Sequence, residues 1–154
     1  MRRLTIPAIC FLALALVAAG AGVSSSGRDA ASSIPSGTYR TSFTNDQLRG
    51  PGVGPQQRRD QVGSYTLTIA AGKWSLTQKS PAGSTRFTGI YAPVGTLPRV
   101  VFTHRTPRDV NGIAFPLNWS FDGKALHLSP APGASFPAPV VKVVWTRHAW
   151  MKTG

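Results

Sequence analysis

Apolar and polar residues alternate one by one through residues 63–78, where Tyr65, Leu67 and Ile69 are separated by Thr66 and Thr68, and Trp74 and Leu76 by Ser75. A period of two marks strands with one buried and one wet face. A two-residue turn at Ala71 and Gly72 sets Ile69 opposite Trp74 and Leu67 opposite Leu76, so both apolar rows meet on one side of the ribbon. A slip of one residue would put Trp74 among threonines, so the pattern itself specifies the register.

The same reading extends in both directions. Residues 37–44 alternate Tyr39, Thr41 and Phe43 against Thr38, Arg40 and Ser42, predicting a first strand. Thr44 or Asn45 then caps a short helical turn through Leu48, because either side chain accepts from the first free backbone amides, and Gly50-Pro51 ends it. Residues 50–55 read as a loop, and residues 55–62 as a second short helix with Pro55 at its first position.

Beyond the turn at Ser80-Pro81-Ala82-Gly83, strands are predicted at 85–91 and 99–104, joined by a proline-containing loop over 92–98. Phe87 and Tyr91 flank Gly89, where a missing side chain leaves room for a neighbour's ring or a sharp bend. Val100, Phe102 and His104 share a face, and residues 106–112 read as an exposed polar loop.

Residues 115–121 and 124–129 form a second predicted hairpin around Asp122-Gly123, a turn signal because both positions tolerate positive φ. That turn sets Trp119 opposite Leu126 and Leu117 opposite Leu128. After a proline-rich stretch over 130–139, Val141, Val143 and Trp145 fall on one face of a last predicted strand over 140–147. Eight strands, with no helical segment long enough for a parallel crossover, predict an all-β fold. Its expected form is an eight-stranded antiparallel up-and-down β-barrel with one or two short helices after strand one.

The amino-terminal residues change the picture of where the barrel works. Arg2 and Arg3 precede an almost wholly apolar run from Leu4 to Val17, and Ala19-Gly20-Ala21 supplies the small residues of a cleavage site. This pattern predicts an export signal over residues 1–21, a flexible leader rich in serine, glycine and alanine over 22–36, and the barrel domain over 37–154. The alternative is retention of the same run as an anchor, although it approaches the ~20 apolar residues of a span only if its final glycines and alanines are counted. The expected location is secreted or extracytoplasmic, in the cell envelope. Cys10, the single cysteine, lies inside the signal, so the exported chain has neither thiol chemistry nor a disulfide, and packing must stabilise it.

Lysine and arginine number 17 against 5 acidic residues, a formal charge of +12, and every acid is an aspartate. This balance favours acidic partners, with a cell-wall or membrane-surface polymer the first candidate. Export argues against nucleic acid, and Arg58-Arg59 is the only basic pair outside the signal. The chain is expected to be a monomer.

Several short motifs carry a resemblance. They are Gly37-Thr38-Tyr39 at the start of the first strand, the short helical segment after it, Gly63-Ser64-Tyr65-Thr66-Leu67-Thr68 with Gly72-Lys73-Trp74, Gly89-Ile90-Tyr91, and Trp145 with His148-Ala149-Trp150. Together they span nearly the whole exported chain, which resembles the secreted bacterial lipocalin-like, or calycin-type, small barrels. Lipocalins carry Gly-x-Trp in the first strand, and here the aromatic is Tyr39. The late arginine that packs over that aromatic in lipocalins is matched to Arg147. The resemblance implies a barrel with room for a small apolar molecule, and no particular ligand.

Candidate chemistry is sparse. His104, His127 and His148 lie on different predicted strands or their ends, with no aspartate at a ligand-like spacing, so neither a metal nor a cofactor is expected. The five aspartates are scattered over leader, turns and loops rather than paired, and no nucleophile elbow or phosphate-cradling loop occurs, so no catalytic residue is assigned. What remains is the inward-compatible row of Tyr39, Tyr65, Leu67, Trp74, Phe87, Tyr91, Phe102, Trp119 and Trp145. Either these residues line a pocket for a small apolar ligand or they fill the barrel solidly. In the second case the cationic outer surface would carry the function, as an interaction module of the cell envelope.

Overall fold

The computed structural model of the chain describes residues 33–94, 99–106 and 114–154. The predicted export signal, most of the predicted leader and most of the predicted polar loop at 106–112 lie outside the described residues, as do the side chains of Val100 and His104. Eight antiparallel strands close into one barrel in sequence order. They are β1 (Gly37–Phe43), β2 (Gly63–Ala70), β3 (Lys73–Ser80), β4 (Gly83–Pro93), β5 (Arg99–Thr106), β6 (Ala114–Phe121), β7 (Ala125–Pro130) and β8 (Trp150–Lys152). Two helices, α1 (Pro55–Gln61) and α2 (Pro139–Thr146), lie in the β1–β2 and β7–β8 connections and therefore at the same end of the barrel.

The first hairpin has the register its alternation demands. Ile69 pairs with Trp74 and Leu67 with Leu76, and Leu67 and Ile69 are fully buried. Its turn places both Ala71 (φ 47°) and Gly72 (φ 73°) in the left-handed region. That is the backbone a two-residue hairpin turn needs to match the twist of its strands.

The second hairpin keeps its faces but shifts by two residues. Trp119 pairs with Leu128, and Phe121 with Leu126, rather than Trp119 with Leu126. The cause lies in Asp122, whose Oδ1 accepts from the backbone N–H groups of Lys124 (2.8 Å) and Ala125 (2.7 Å). These bonds hold a wider loop than a two-residue turn. A shift of two preserves the alternation, so the apolar row still points inward.

Residues 140–147 require a larger correction. The segment predicted as the last strand is α2, with Pro139 in its first turn. Val140, Val144 and Trp145 are buried, Val141 is half-buried and Lys142 is exposed. This is one stripe of a helix, repeating at three to four residues rather than two. Alternation of Val141, Val143 and Trp145 is only part of a run in which four of the first six residues are valine, and such a run supports either period. The eighth strand is instead the short β8, which pairs with β7 through Leu126 and Trp150 and with β1 through Arg40 and Met151.

The β1–β2 connection is anchored at Leu48 and Val53, both buried. Thr44 and Gln47 cap its helical turn reciprocally: Gln47 Oε1 accepts from the Thr44 N–H at 2.9 Å, and Thr44 Oγ1 from the Gln47 N–H at 3.4 Å. At the opposite end Ile34, three residues before the predicted start of the domain, is buried in the core, and the Pro35 carbonyl accepts a 2.6 Å bond from the Tyr39 hydroxyl.

Candidate functional site

Trp145 projects from α2 into the mouth of the barrel and organises its interior. Its ring centroid lies 4.8 Å from Phe102, 5.3 Å from Phe115, 5.5 Å from Trp74 and 5.9 Å from Trp150. Most of these contacts are tilted or edge-on, the arrangement favoured by the aromatic quadrupole. The centre of the barrel is therefore filled by rings contributed from β3, β5, β6, β8 and α2.

Beside this cluster, under α2, a cavity of about 310 Å³ remains. Tyr65, Trp74, Leu76 and Phe87 form its wall on β2–β4, and Phe115 adds a ring from β6. Val141, Val144 and Trp145 roof it from α2, with Pro137, Ala138 and Gln61 at its edge. The space is roughly twice the 150 Å³ of an apolar cavity that holds benzene, and near the lower end of the usual ligand-pocket range.

Trp74 owes its position to Gly89. A Cβ at Gly89 would collide with the Thr103 carbonyl oxygen and stand only 2.5 Å from the Trp74 indole nitrogen. The missing side chain accommodates both the ring and a register irregularity between Thr88 and Gly89. The indole N–H donates to the Ile90 carbonyl at 3.1 Å, which fixes the ring across the β3–β4 pair.

The polar groups at the cavity are neutral. The Tyr65 hydroxyl lies 2.7 Å from the Gln61 carbonyl and 2.8 Å from Gln61 Oε1, and burial raises its pKa far above the ordinary tyrosine value. Gln78, the one buried polar residue in the barrel wall among the described residues, donates to the Asp60 carbonyl at 2.7 Å. These two contacts satisfy carbonyls at the end of α1 and tie that helix to the wall. The arrangement offers a ligand apolar surface, ring faces and one neutral amide at the rim.

Of the nine residues singled out from the sequence, Tyr65, Trp74, Phe87 and Trp145 line this cavity. Tyr39, Leu67, Tyr91, Phe102 and Trp119 are buried in the surrounding core instead. Tyr91 stacks on Phe102 at 5.9 Å, and Tyr39 meets Phe121 edge-on at 6.3 Å. Burial raises the pKa of both tyrosines. Trp119 has a buried indole N–H with no hydrogen-bond partner among the described residues.

Leu76, on the apolar face that the alternation predicts, lines the cavity, as does Phe115, which is not singled out in the sequence but shares the parity of Leu117 and Trp119. Val144 needed the helical period to be seen, because a strand reading turns it outward. Arg147 does not serve as a lid over Tyr39: it is exposed and donates to the Gln47 carbonyl at 2.7 Å. Near Tyr39 the cation is Lys152, whose Nζ stands 5.6 Å from the centre of the Phe121 ring.

His127 is exposed and pairs with Asp122 at 3.1 Å, while His148 meets the Phe43 ring edge-on at 4.9 Å. Among the described residues no three potential metal ligands come together, and no helix is long and apolar enough to cross a membrane. Comparison of the chain with family models, with curated proteins and with solved structures found no match.

Proposed function

We propose that the chain is a non-enzymatic, extracytoplasmic lipocalin-like barrel that holds one small apolar ligand in the cavity beneath α2. The observation that carries this reading is the lining: of its eleven residues only Gln61, Tyr65 and the two tryptophans bear polar side-chain atoms, the Trp74 N–H already donates to the Ile90 carbonyl, and four aromatic rings, those of Tyr65, Trp74, Phe87 and Phe115, surround the space with Trp145. Binding would release water from both apolar surfaces, which is the favourable term for such an association. The Gln61 amide gives a ligand carrying one neutral polar group a partner at the rim.

A ligand burying ~250 Å² of apolar surface gains about 6 kcal/mol at ~25 cal/mol per Å², which corresponds to a Kd on the order of tens of micromolar. Losses of rotational and translational freedom weaken this further. Tryptophan fluorescence read against a panel of one- and two-ring apolar compounds tests the proposal, because Trp74 and Trp145 both line the cavity. Saturable quenching that disappears in Val141→Phe supports it. No saturable response from any compound, or a response unchanged by Val141→Phe, refutes it. The export signal and the net charge of +12 support placement in the cell envelope. Fractionation of the producing cell tests that placement.

A further inference from the structure

The strand registers place a distinctive surface on the outside of β1–β4. One row runs across four strands as Arg40, Thr66, Thr77 and Arg86. Beside it the next row is hydroxyl throughout: Thr38, Thr68, Ser75 and Thr88. Flanking rows carry Lys73 and Lys79, both on β3. Arg40, Lys73, Lys79 and Arg86 are all exposed.

None of these four cations makes an ion pair or a side-chain hydrogen bond with a described residue. The three described aspartates are engaged elsewhere: Asp46 with Arg49, Asp60 with Gln56 and Asp122 with His127. A shallow groove of about 510 Å³ crosses this face over Gly89, with Lys73 and Arg86 on its walls and Thr68 and Ser75 among its hydroxyls.

We propose that this face binds a linear anionic glycan or polyol polymer bearing carboxylate or phosphate groups. Neighbouring strands lie ~4.8 Å apart and residues advance ~3.3 Å along a strand, so Arg40 and Arg86 are about 14 Å apart and Lys73 and Lys79 about 20 Å. One small anion meets one of these cations, whereas an extended chain with regularly spaced charges meets several at once, and only the chain gains their combined attraction. The hydroxyls between the cations both donate to oxyanions and exchange hydrogen bonds with sugar or polyol hydroxyls.

A lipid surface fits less well. The large apolar side chains exposed among the described residues are Ile90 and Met151, which lie on β4 and β8 at opposite margins of the face. Neither is an aromatic anchor of the kind enriched at membrane interfaces. This site lies on the outer face of the barrel wall and the cavity inside it, with Trp74 bordering both.

The test is retention of the full chain on immobilised polygalacturonate and, in a parallel arm, on poly(glycerol phosphate). The combined variant Arg40→Thr, Lys73→Thr, Lys79→Thr, Arg86→Thr is compared with a charge-matched control, Arg49→Thr, Arg59→Thr, Lys124→Thr, Lys142→Thr. Threonine suits strand positions, and circular dichroism confirms folding. For four neutralised charges, wild-type binding falls by up to roughly 50- to 150-fold between 50 and 200 mM salt, using the slope of ~0.7–0.9 per charge known for nucleic acids.

The face variant should lose at least about tenfold in affinity for one or both polymers and most of that salt dependence, with the control close to wild type and the monomeric anions failing to compete at millimolar concentration. The arm that responds identifies carboxylate or phosphate as the preferred group. Equal losses in the two variants, no wild-type retention in either arm, or binding only to vesicles containing anionic phospholipid would each overturn the proposal. Should the combined variant not fold, Arg40→Thr and Arg86→Thr made singly must each lower the salt slope, and unchanged slopes are the refuting result.

Discussion

Replacing Gly89 by alanine adds one methyl group on β4 where it meets Trp74 of β3 and Thr103 of β5. In an ordinary strand this change stabilises by roughly 0.5–1 kcal/mol, because glycine loses more conformational freedom on folding. At this position the new Cβ meets a backbone oxygen of Thr103 on one side and the indole of Trp74, at 2.5–2.6 Å, on the other. Neither neighbour is the free end of a flexible side chain. Overpacking of this kind costs about 1–3 kcal/mol, and displacement of the ring also breaks its bond to the Ile90 carbonyl, worth about 1 kcal/mol. With the glycine-to-alanine gain subtracted, the net expectation is a loss of about 1–3 kcal/mol, or a fall of roughly 5–10 °C in Tm.

Urea unfolding of wild type, Gly89→Ala, Trp74→Phe and the double variant measures both the cost and its origin. Phenylalanine removes the indole nitrogen that the methyl would strike, so Gly89→Ala should cost about 1 kcal/mol less in the Trp74→Phe background. A neutral or stabilising Gly89→Ala, or costs that simply add, would refute the claim that this glycine exists to admit the ring.

Ala71 is a non-glycine residue in the left-handed region, so Ala71→Asn should stabilise by about 1 kcal/mol, seen as a higher urea midpoint at unchanged slope; a lower midpoint would contradict the turn assignment. Backbone N–H groups of Ala125 and Lys124, with help from His127, hold the Asp122 carboxyl down to about 2. Its folded pKa is depressed, so its contribution is present above the ordinary aspartate range and is lost as pH falls toward 2. The Tm difference between wild type and Asp122→Asn should shrink between pH 5 and pH 2, and a constant difference would count against the turn contacts. All three tyrosines have raised pKa values caused by burial. Their stabilising contribution is complete below the unfolded tyrosine pKa and declines as pH rises above it, so phenolate absorbance should appear late and together with unfolding, and an ionisation step near pH 10 in the folded chain would contradict the burial.

The barrel was legible because closure depends on a feature the sequence displays directly, the alternation of Leu67, Ile69, Trp74 and Leu76 with hydroxyl residues. Gly89 was legible too, since an isolated glycine between Phe87 and Tyr91 has few reasons to stand in a strand. The two-residue shift in the second hairpin was hidden because both registers bury Trp119 and Leu126, and only the bonds accepted by the Asp122 side chain select between them.

The helix at α2 was hidden for a different reason. Valine favours strands intrinsically, and the decision was taken by tertiary contact of Val140, Val144 and Trp145 with the barrel mouth. That one misread element moved the site. With α2 as a strand, Trp145 becomes one wall residue among eight strands; as a helix, it plugs the centre and leaves the cavity between its own flank and β2–β4.

Methyl and indole NMR reads directly the entry of a small molecule into that space. Titration with a one- or two-ring apolar ligand should produce saturable shifts at the Leu76, Val141 and Val144 methyls and the Trp74 and Trp145 indoles, while Leu117 and Leu126, buried away from the cavity lining, stay in place. Shifts that never saturate, or that fall on surface residues while those five remain still, would contradict it.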